Sequence, residues 1–254
     1  MIGKKIIIND LSVEYYQSSN LEKNNTLVFL HGWGSEASHL RNIFGKYSNF
    51  VAVDLPGFGK SELPKSAWSM VDYANFLKVF LNKLEIKNPI LIGHSFGGSI
   101  IIKYLSKKND TRKAILVSPS GVRKKEARVF IWKILAKIAN VIILLPGLNK
   151  FKDAWRRKFY KAIDSEDYIE AGKLTESYKK IIREDLKEDM GKINTETILI
   201  WGESDKATPL EQGMTIQKLI KNSRLYVIKN AGHFSFIDQP EEFNKIFQKE
   251  INAN

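Results

Sequence analysis

Short apolar runs alternate with helical patterns along most of this chain, and that alternation constrains its fold more than any other feature. Thr26–Leu30 ends at His31-Gly32, Phe50–Asp54 at Leu55-Pro56-Gly57, and Pro89–Ile92 at Gly93. Lys113–Val117 ends at Ser118-Pro119, Thr197–Trp201 at Gly202, and Arg224–Ile228 precedes Asn230-Ala231-Gly232. Continuous apolar runs of this length suit strands buried on both faces, as in a parallel sheet. Lys5–Ile8 and Ser12–Tyr16 flank Asn9-Asp10 and read as an opening hairpin. Between the runs, Val71–Leu84 puts Tyr73, Phe76, Leu77, Phe80, Leu81 and Leu84 on one stripe. Ser95–Lys107, Met214–Ile220 and Glu241–Ile251 are further helical patterns. The prediction is an α/β fold: a mostly parallel central sheet of about eight strands flanked by helices. Such a sheet binds ligands at the carboxyl ends of its strands.

The alternation breaks between Gly121 and about Lys192, where helical patterns and Pro146-Gly147 occur without a good strand. This predicts a helical cap over 121–192 inserted into a core domain made of 1–120 and 193–254. With 254 residues, one domain with an insertion accommodates the whole chain. No fixed-period repeat or low-complexity tract interrupts it.

The chain has no cysteine, so disulfides, thiol nucleophiles and cysteine-ligated metals are excluded. Only three apolar residues follow Lys4-Lys5, too few for a secretory signal. Val129–Leu145 is the longest apolar-rich run, but Lys133, Lys137 and Asn140 interrupt it and it falls short of a membrane span. Together these features predict a cytoplasmic protein. The net charge of +12 is uneven. Residues 121–161 hold 12 Lys and Arg against 2 Asp and Glu, or +10, leaving +2 for the rest. A basic segment suits an acidic carrier protein or an anionic membrane surface, and equally a lysine-rich solvated face. No groove-reading motif accompanies it, so no nucleic-acid partner is expected.

Gly93-His94-Ser95-Phe96-Gly97 matches G-x-S-x-G and lies between an apolar run and a helical one. That strand–turn–helix setting makes Ser95 a nucleophile at a sharp elbow, rather than an ordinary serine N-cap. A neutral hydroxyl needs a base, and the base needs an orienting partner. The four histidines are His31, His39, His94 and His233. His94 adjoins Ser95, but an elbow directs neighbouring side chains apart. His31 ends a strand and is expected to pack or hydrogen-bond beneath the site, while His39 is expected on the surface. His233 follows the last strand and is the expected base. Asp205, in the loop after the seventh strand, is the expected acid, with Glu203 as its competitor. The His31-Gly32-Trp33-Gly34 loop can present the Trp33 N–H to an oxyanion, with the Phe96 N–H as the second donor.

These stretches, with Asp54-Leu55-Pro56-Gly57-Phe58-Gly59-Lys60-Ser61, resemble the ordered signposts of α/β-hydrolases, in the chain order Ser, Asp, His. The resemblance implies acyl transfer to water through an acyl-enzyme on Ser95, with no metal or organic cofactor. It implies a structural role for Asp54–Ser61. Relatives with an aspartate nucleophile are disfavoured because Ser95 holds that place. Family membership leaves the substrate open. In Arg128–Leu145 the polar residues share one narrow face, and Phe130 and Trp132 lie among the apolar ones. That helix could shut an apolar pocket, which favours small-molecule esters with short to medium acyl chains; it could equally be packed on its neighbours. The His-Gly-Trp-Gly motif and the basic cap also resemble pimeloyl-carrier methyl ester esterases. Thioesterase, lactonase and carbon–carbon bond hydrolase activities stay open, as does a ligand receptor built on a hydrolase scaffold.

Overall fold

The computed structural model describes residues 2–123 and 172–253. Eight strands form one sheet in the order β1-β2-β4-β3-β5-β6-β7-β8. The strands are β1 (Ile2–Ile8), β2 (Leu11–Gln17), β3 (Leu27–Leu30), β4 (Phe50–Val53), β5 (Ile90–His94), β6 (Lys113–Val117), β7 (Glu196–Gly202) and β8 (Ser223–Ile228). β1, β2 and β4 pair antiparallel, and the pairs from β4 through β3 to β8 are all parallel. Asn9 and Asp10 form the β1–β2 turn with positive φ, a conformation these two residue types tolerate.

The continuous apolar runs have the expected cause. Every residue of β3, β4, β5 and β6 is buried. Successive residues alternate between two cores: Val28, Leu30, Val51, Val53, Leu91, Leu116 and Trp201 face one, and Leu27, Phe29, Ala52, Ile92, Ile115 and Ile200 face the other. The first core is closed by α1 (Met70–Lys83) through Tyr73, Phe76, Leu77 and Phe80, and by α2 (Phe96–Leu105). The second is closed by the 41–44 turn of helix and by Phe243 and Phe247 of the C-terminal helix Pro240–Asn252. α1 begins where its sequence directs: the Ser69 N–H donates to Asp72 Oδ2 at 2.7 Å, satisfying an otherwise orphaned amide. The helix read from Met214 starts earlier, at Leu210, because Pro209 at its N-cap admits a polar first turn without an apolar stripe.

The sheet resumes at β7, beyond the expected cap. The described part of that segment, 172–192, contains α3 (Thr175–Ile181) and a helical turn at Lys187–Met190, and no strand. α4 (Leu210–Leu219) and α5 (the Pro240–Asn252 helix) complete the labelled helices. Phe130, Trp132, Lys133, Lys137, Arg156 and Arg157 lie outside the described residues. Among the described residues no helix is long and apolar enough to cross a membrane.

Candidate active site

β5 runs directly into α2 through Ser95, whose φ of 50° and ψ of −112° are unusual for a residue with a side chain. Sequence permits this turn because its flanks are glycine. A Cβ on Gly93 would lie 2.6 Å from the Gly97 carbonyl carbon, and one on Gly97 would lie 2.4 Å from the Leu30 carbonyl oxygen. Only backbone without side chains can approach that closely. The Ser95 N–H donates to the Val117 carbonyl at 2.9 Å, which ties the elbow to β6. Ser95 is half-buried within a run of otherwise buried residues and occupies the N-cap of a ten-residue helix. A helix N-terminus favours developing negative charge.

Asp205 and His233 approach this edge from the loops after β7 and β8. The His233 Nδ1 lies 2.9 Å from Asp205 Oδ2, with the Asp205 side chain fully buried and the His233 side chain 16% exposed. Close packing of the two loops at Gly202, where a Cβ would lie 2.1 Å from the Gly232 carbonyl oxygen, brings them together. Burial works to raise the Asp205 pKa. The hydrogen bond and charge of His233 and the Thr208 N–H outweigh it and hold the carboxyl below its ordinary value. Glu203, the sequence competitor, is exposed, and its N–H is bonded to the Ile228 carbonyl.

Three supporting residues emerge that composition and spacing do not single out. Thr208 donates its N–H to Asp205 Oδ1 and its hydroxyl to Oδ2, both at 2.9 Å, and its Oγ1 lies 3.3 Å from His233 Nδ1. The buried Trp201 indole N–H in turn donates to the Thr208 carbonyl at 2.7 Å. His94 does not point away from the site: its ring centroid is 4.8 Å from that of His233, and its Nε2–H donates to the His233 carbonyl at 3.0 Å. Burial and the neighbouring His233 push the His94 pKa down to about 3, so it stays neutral and is unsuited to be the base. His31 is fully buried and hydrogen-bonded beneath the site, while His39 is exposed. The Asp54–Ser61 stretch is a turn: Asp54 accepts the Ala37 N–H at 2.8 Å and the Lys60 N–H at 2.9 Å.

The loop Gly32–Gly34 lies against the elbow, for a Cβ on Gly32 would be 3.5 Å from the Ser95 Cβ and 3.0 Å from His94 Nδ1. The Trp33 ring packs edge-on against Phe58 and Phe96, and against Tyr178 of α3, with centroids 4.9, 5.3 and 5.0 Å apart. Neither the Trp33 N–H nor the Phe96 N–H meets an acceptor among the described residues. For Phe96 this follows from its place in the first turn of a helix. Among the described residues no cluster of His, Asp or Glu is arranged to hold a metal ion.

Comparison with known proteins agrees with this architecture. The chain is 29% identical over 248 residues to the uncharacterized hydrolase YugF of Bacillus subtilis, covering 89% of this chain and 90% of that one. It is 26% identical over 270 residues to a 2-hydroxy-6-oxononadienedioate/2-hydroxy-6-oxononatrienedioate hydrolase of Pseudomonas putida, covering 93% and 90%. Among solved structures, an esterase from Exiguobacterium antarcticum superposes with a TM-score of 0.74 at 22% identity, covering 99% of this chain and all of the other. A bromoperoxidase from Bacillus anthracis superposes with a TM-score of 0.76 at 20% identity and the same coverage. These structural likenesses speak to the fold. The model of the alpha/beta hydrolase family matches residues 27–246, which span the parallel sheet, the elbow and both loops that meet at its edge, and the chain therefore belongs to that family and is a hydrolase.

Proposed function

We propose that the chain is a serine hydrolase that cleaves carboxylic esters of short to medium acyl chains through an acyl-enzyme on Ser95. The observation that carries this reading is the bond between His233 Nδ1 and the buried Asp205 carboxylate, at the sheet edge where the elbow presents Ser95. An ionised carboxylate only accepts, so the proton of a neutral His233 resides on Nδ1 and the Nε2 lone pair is free. In this reading His233 Nε2 takes the Ser95 proton as Oγ attacks the ester carbonyl. The Trp33 and Phe96 N–H groups receive the oxyanion. Collapse expels the alcohol, which takes the proton back from His233. Water, deprotonated by the same nitrogen, then releases the acid. No step calls for a metal or organic cofactor.

The aromatic surround of Trp33, Phe96 and Tyr178 supports an apolar acyl group near the donors. Residues 121–192 serve as a lid in this proposal, with Phe130 and Trp132 as its substrate-facing residues. A second reading, hydrolysis of a carbon–carbon bond in a 2-hydroxy-6-oxo acid, is favoured by the Pseudomonas putida relative. A panel of p-nitrophenyl esters of rising acyl length, a lactone, an acyl thioester and a 2-hydroxy-6-oxo dienoate tests both. Ester turnover that disappears in Ser95→Ala supports the first reading. Turnover of the dienoate alone replaces it with the second.

A further inference from the structure

We propose that His31 is a positioning residue that locks the Gly32–Trp33 peptide in the orientation that aims the Trp33 N–H at the oxyanion. The inference rests on the serine-hydrolase reading and adds to it a residue outside the triad and the donor pair.

The argument starts from two hydrogen bonds. The Leu55 N–H lies 2.9 Å from His31 Nε2, and His31 Nδ1 lies 2.7 Å from the Gly32 carbonyl oxygen. A backbone N–H can only donate, so Nε2 is the bare nitrogen. The ring is fully buried, and burial pushes its pKa down to about 4, so at neutral pH it carries one proton. That proton is therefore on Nδ1, and it is donated to the Gly32 carbonyl. Both ring nitrogens are used, and the tautomer is fixed by the loop that follows β4 rather than by the site.

The Gly32 carbonyl and the Trp33 N–H belong to the same planar trans peptide, in which C=O and N–H point in opposite directions. Holding the carbonyl toward His31 therefore holds the N–H away from His31. A lock is needed because position 32 cannot supply one itself. A Cβ at position 32 would press on His94 Nδ1 at 3.0 Å, and the residue there is glycine. A glycine without Cβ permits the ψ change by which this peptide would flip, turning a carbonyl oxygen toward the oxyanion. Packing of the Trp33 ring on Phe58 and Phe96 fixes the side chain, but a peptide flip leaves a ring nearly in place. The His31 bond is the contact that distinguishes the two peptide orientations.

Two substitutions separate this role from a merely structural one. His31→Asn places an amide N–H near the position of Nδ1, where it can donate to the Gly32 carbonyl, and gives up the Leu55 bond. His31→Gln places its polar end near Nε2, where it can accept from Leu55, and gives up the Gly32 bond. Turnover is normalised to active sites titrated with a fluorophosphonate, and unfolding in urea is followed in parallel. The lock predicts that His31→Gln loses kcat by ~10²–10³-fold with KM little changed, the cost of one oxyanion donor. It predicts that affinity for a trifluoromethyl ketone analogue of the substrate falls in step, and that His31→Asn recovers at least a tenfold part of the loss. Equal activity per site in the two variants, or activity that follows stability alone, overturns it. Crystal structures of the wild type and His31→Gln read the peptide directly and need no substrate. An unflipped Gly32–Trp33 peptide with a single conformation in His31→Gln overturns the lock, whereas a wild type that turns over no ester and takes no fluorophosphonate overturns the serine-hydrolase reading instead.

Discussion

Thr208 grips Asp205 from two sides, with its N–H 2.9 Å from Oδ1 and its hydroxyl 2.9 Å from Oδ2. The carboxylate that faces His233 is thus held in one plane by a residue three positions along the same loop. Replacing Thr208 with valine keeps the N–H and the shape but removes the hydroxyl. A hydrogen bond to a charged group contributes ~1.5–3 kcal/mol, so kcat should fall by ~10–100-fold. The Asp205 carboxyl, deprived of one donor, should titrate at higher pH in the folded protein. Thr208→Ser should restore both. A Thr208→Val enzyme with unchanged kcat and an unchanged Asp205 titration would deny the hydroxyl any part in orienting the acid.

Ser95→Ala should fold with unchanged unfolding midpoint and lose nearly all ester hydrolysis. A fluorophosphonate should label the wild type once, on the peptide containing Ser95. Labelling on a different serine, with Ser95→Ala still active, would assign the nucleophile elsewhere.

Asp205→Asn should cost up to ~10⁴-fold in kcat, because an amide stabilises the wrong imidazole tautomer. Glu203→Gln should be nearly silent, since Glu203 is exposed and it is Asp205 that meets the His233 ring. Steady-state kinetics of the two variants decide between the acids, and the reverse pattern would make Glu203 the partner.

Stability should fall steeply as pH drops from 6.5 toward 4. His31 and His94 are held neutral in the fold, with pKa values pushed down by burial to about 4 and about 3. In the unfolded chain both recover a value of ~6.5. Between these limits the unfolded state binds more protons than the folded one, so acid favours unfolding. Their stabilising contribution is complete above pH 6.5 and is lost as pH falls toward the folded values. Near pH 5 the difference approaches two protons, a slope of ~2–3 kcal/mol per pH unit. Urea unfolding between pH 5 and 7 measures it. His94→Asn should remove about one proton from the slope; an unchanged slope would show that His94 is not the neutral, buried group described.

Charge reversal at Lys133, Lys137, Arg156 and Arg157 tests the basic segment. If it receives an acidic carrier protein or an anionic membrane, turnover of a carrier-bound ester should slow and weaken with salt, because screening shortens to ~8 Å at physiological ionic strength. Turnover of a small neutral ester should hardly change. If the segment is a lid over an apolar pocket, both substrates should respond alike, and truncating Phe130 or Trp132 should raise KM for longer acyl chains. Equal salt responses for carrier-bound and free esters would eliminate the acidic partner.

The sheet was legible because burial on both faces writes an unbroken apolar run. Leu27–Leu30, Phe50–Val53 and Ile90–His94 leave no polar residue for solvent, and a glycine or proline lies within three residues of each run's end. The elbow was legible for the same kind of reason, since a backbone contact of 2.4 Å from a would-be Cβ can be met only by glycine. Such constraints act on neighbours in sequence, so sequence alone suffices for the parallel sheet, the turn at Ser95 and the loops that meet it. It could not determine which polar atoms meet across those loops. Thr208 is three residues from Asp205 but 25 from His233, and nothing in Pro209's surroundings distinguishes a threonine that grips a carboxylate from one that ends a turn. His94 looked excluded by its adjacency to Ser95, yet its imidazole reaches the carbonyl of a residue 139 positions away. The tautomer of His31 is set by the amide of Leu55, 24 residues on. Hydrogen bonds are directional and short, so their partners are decided by the sub-ångström placement of strand ends, and only the folded sheet supplies that placement.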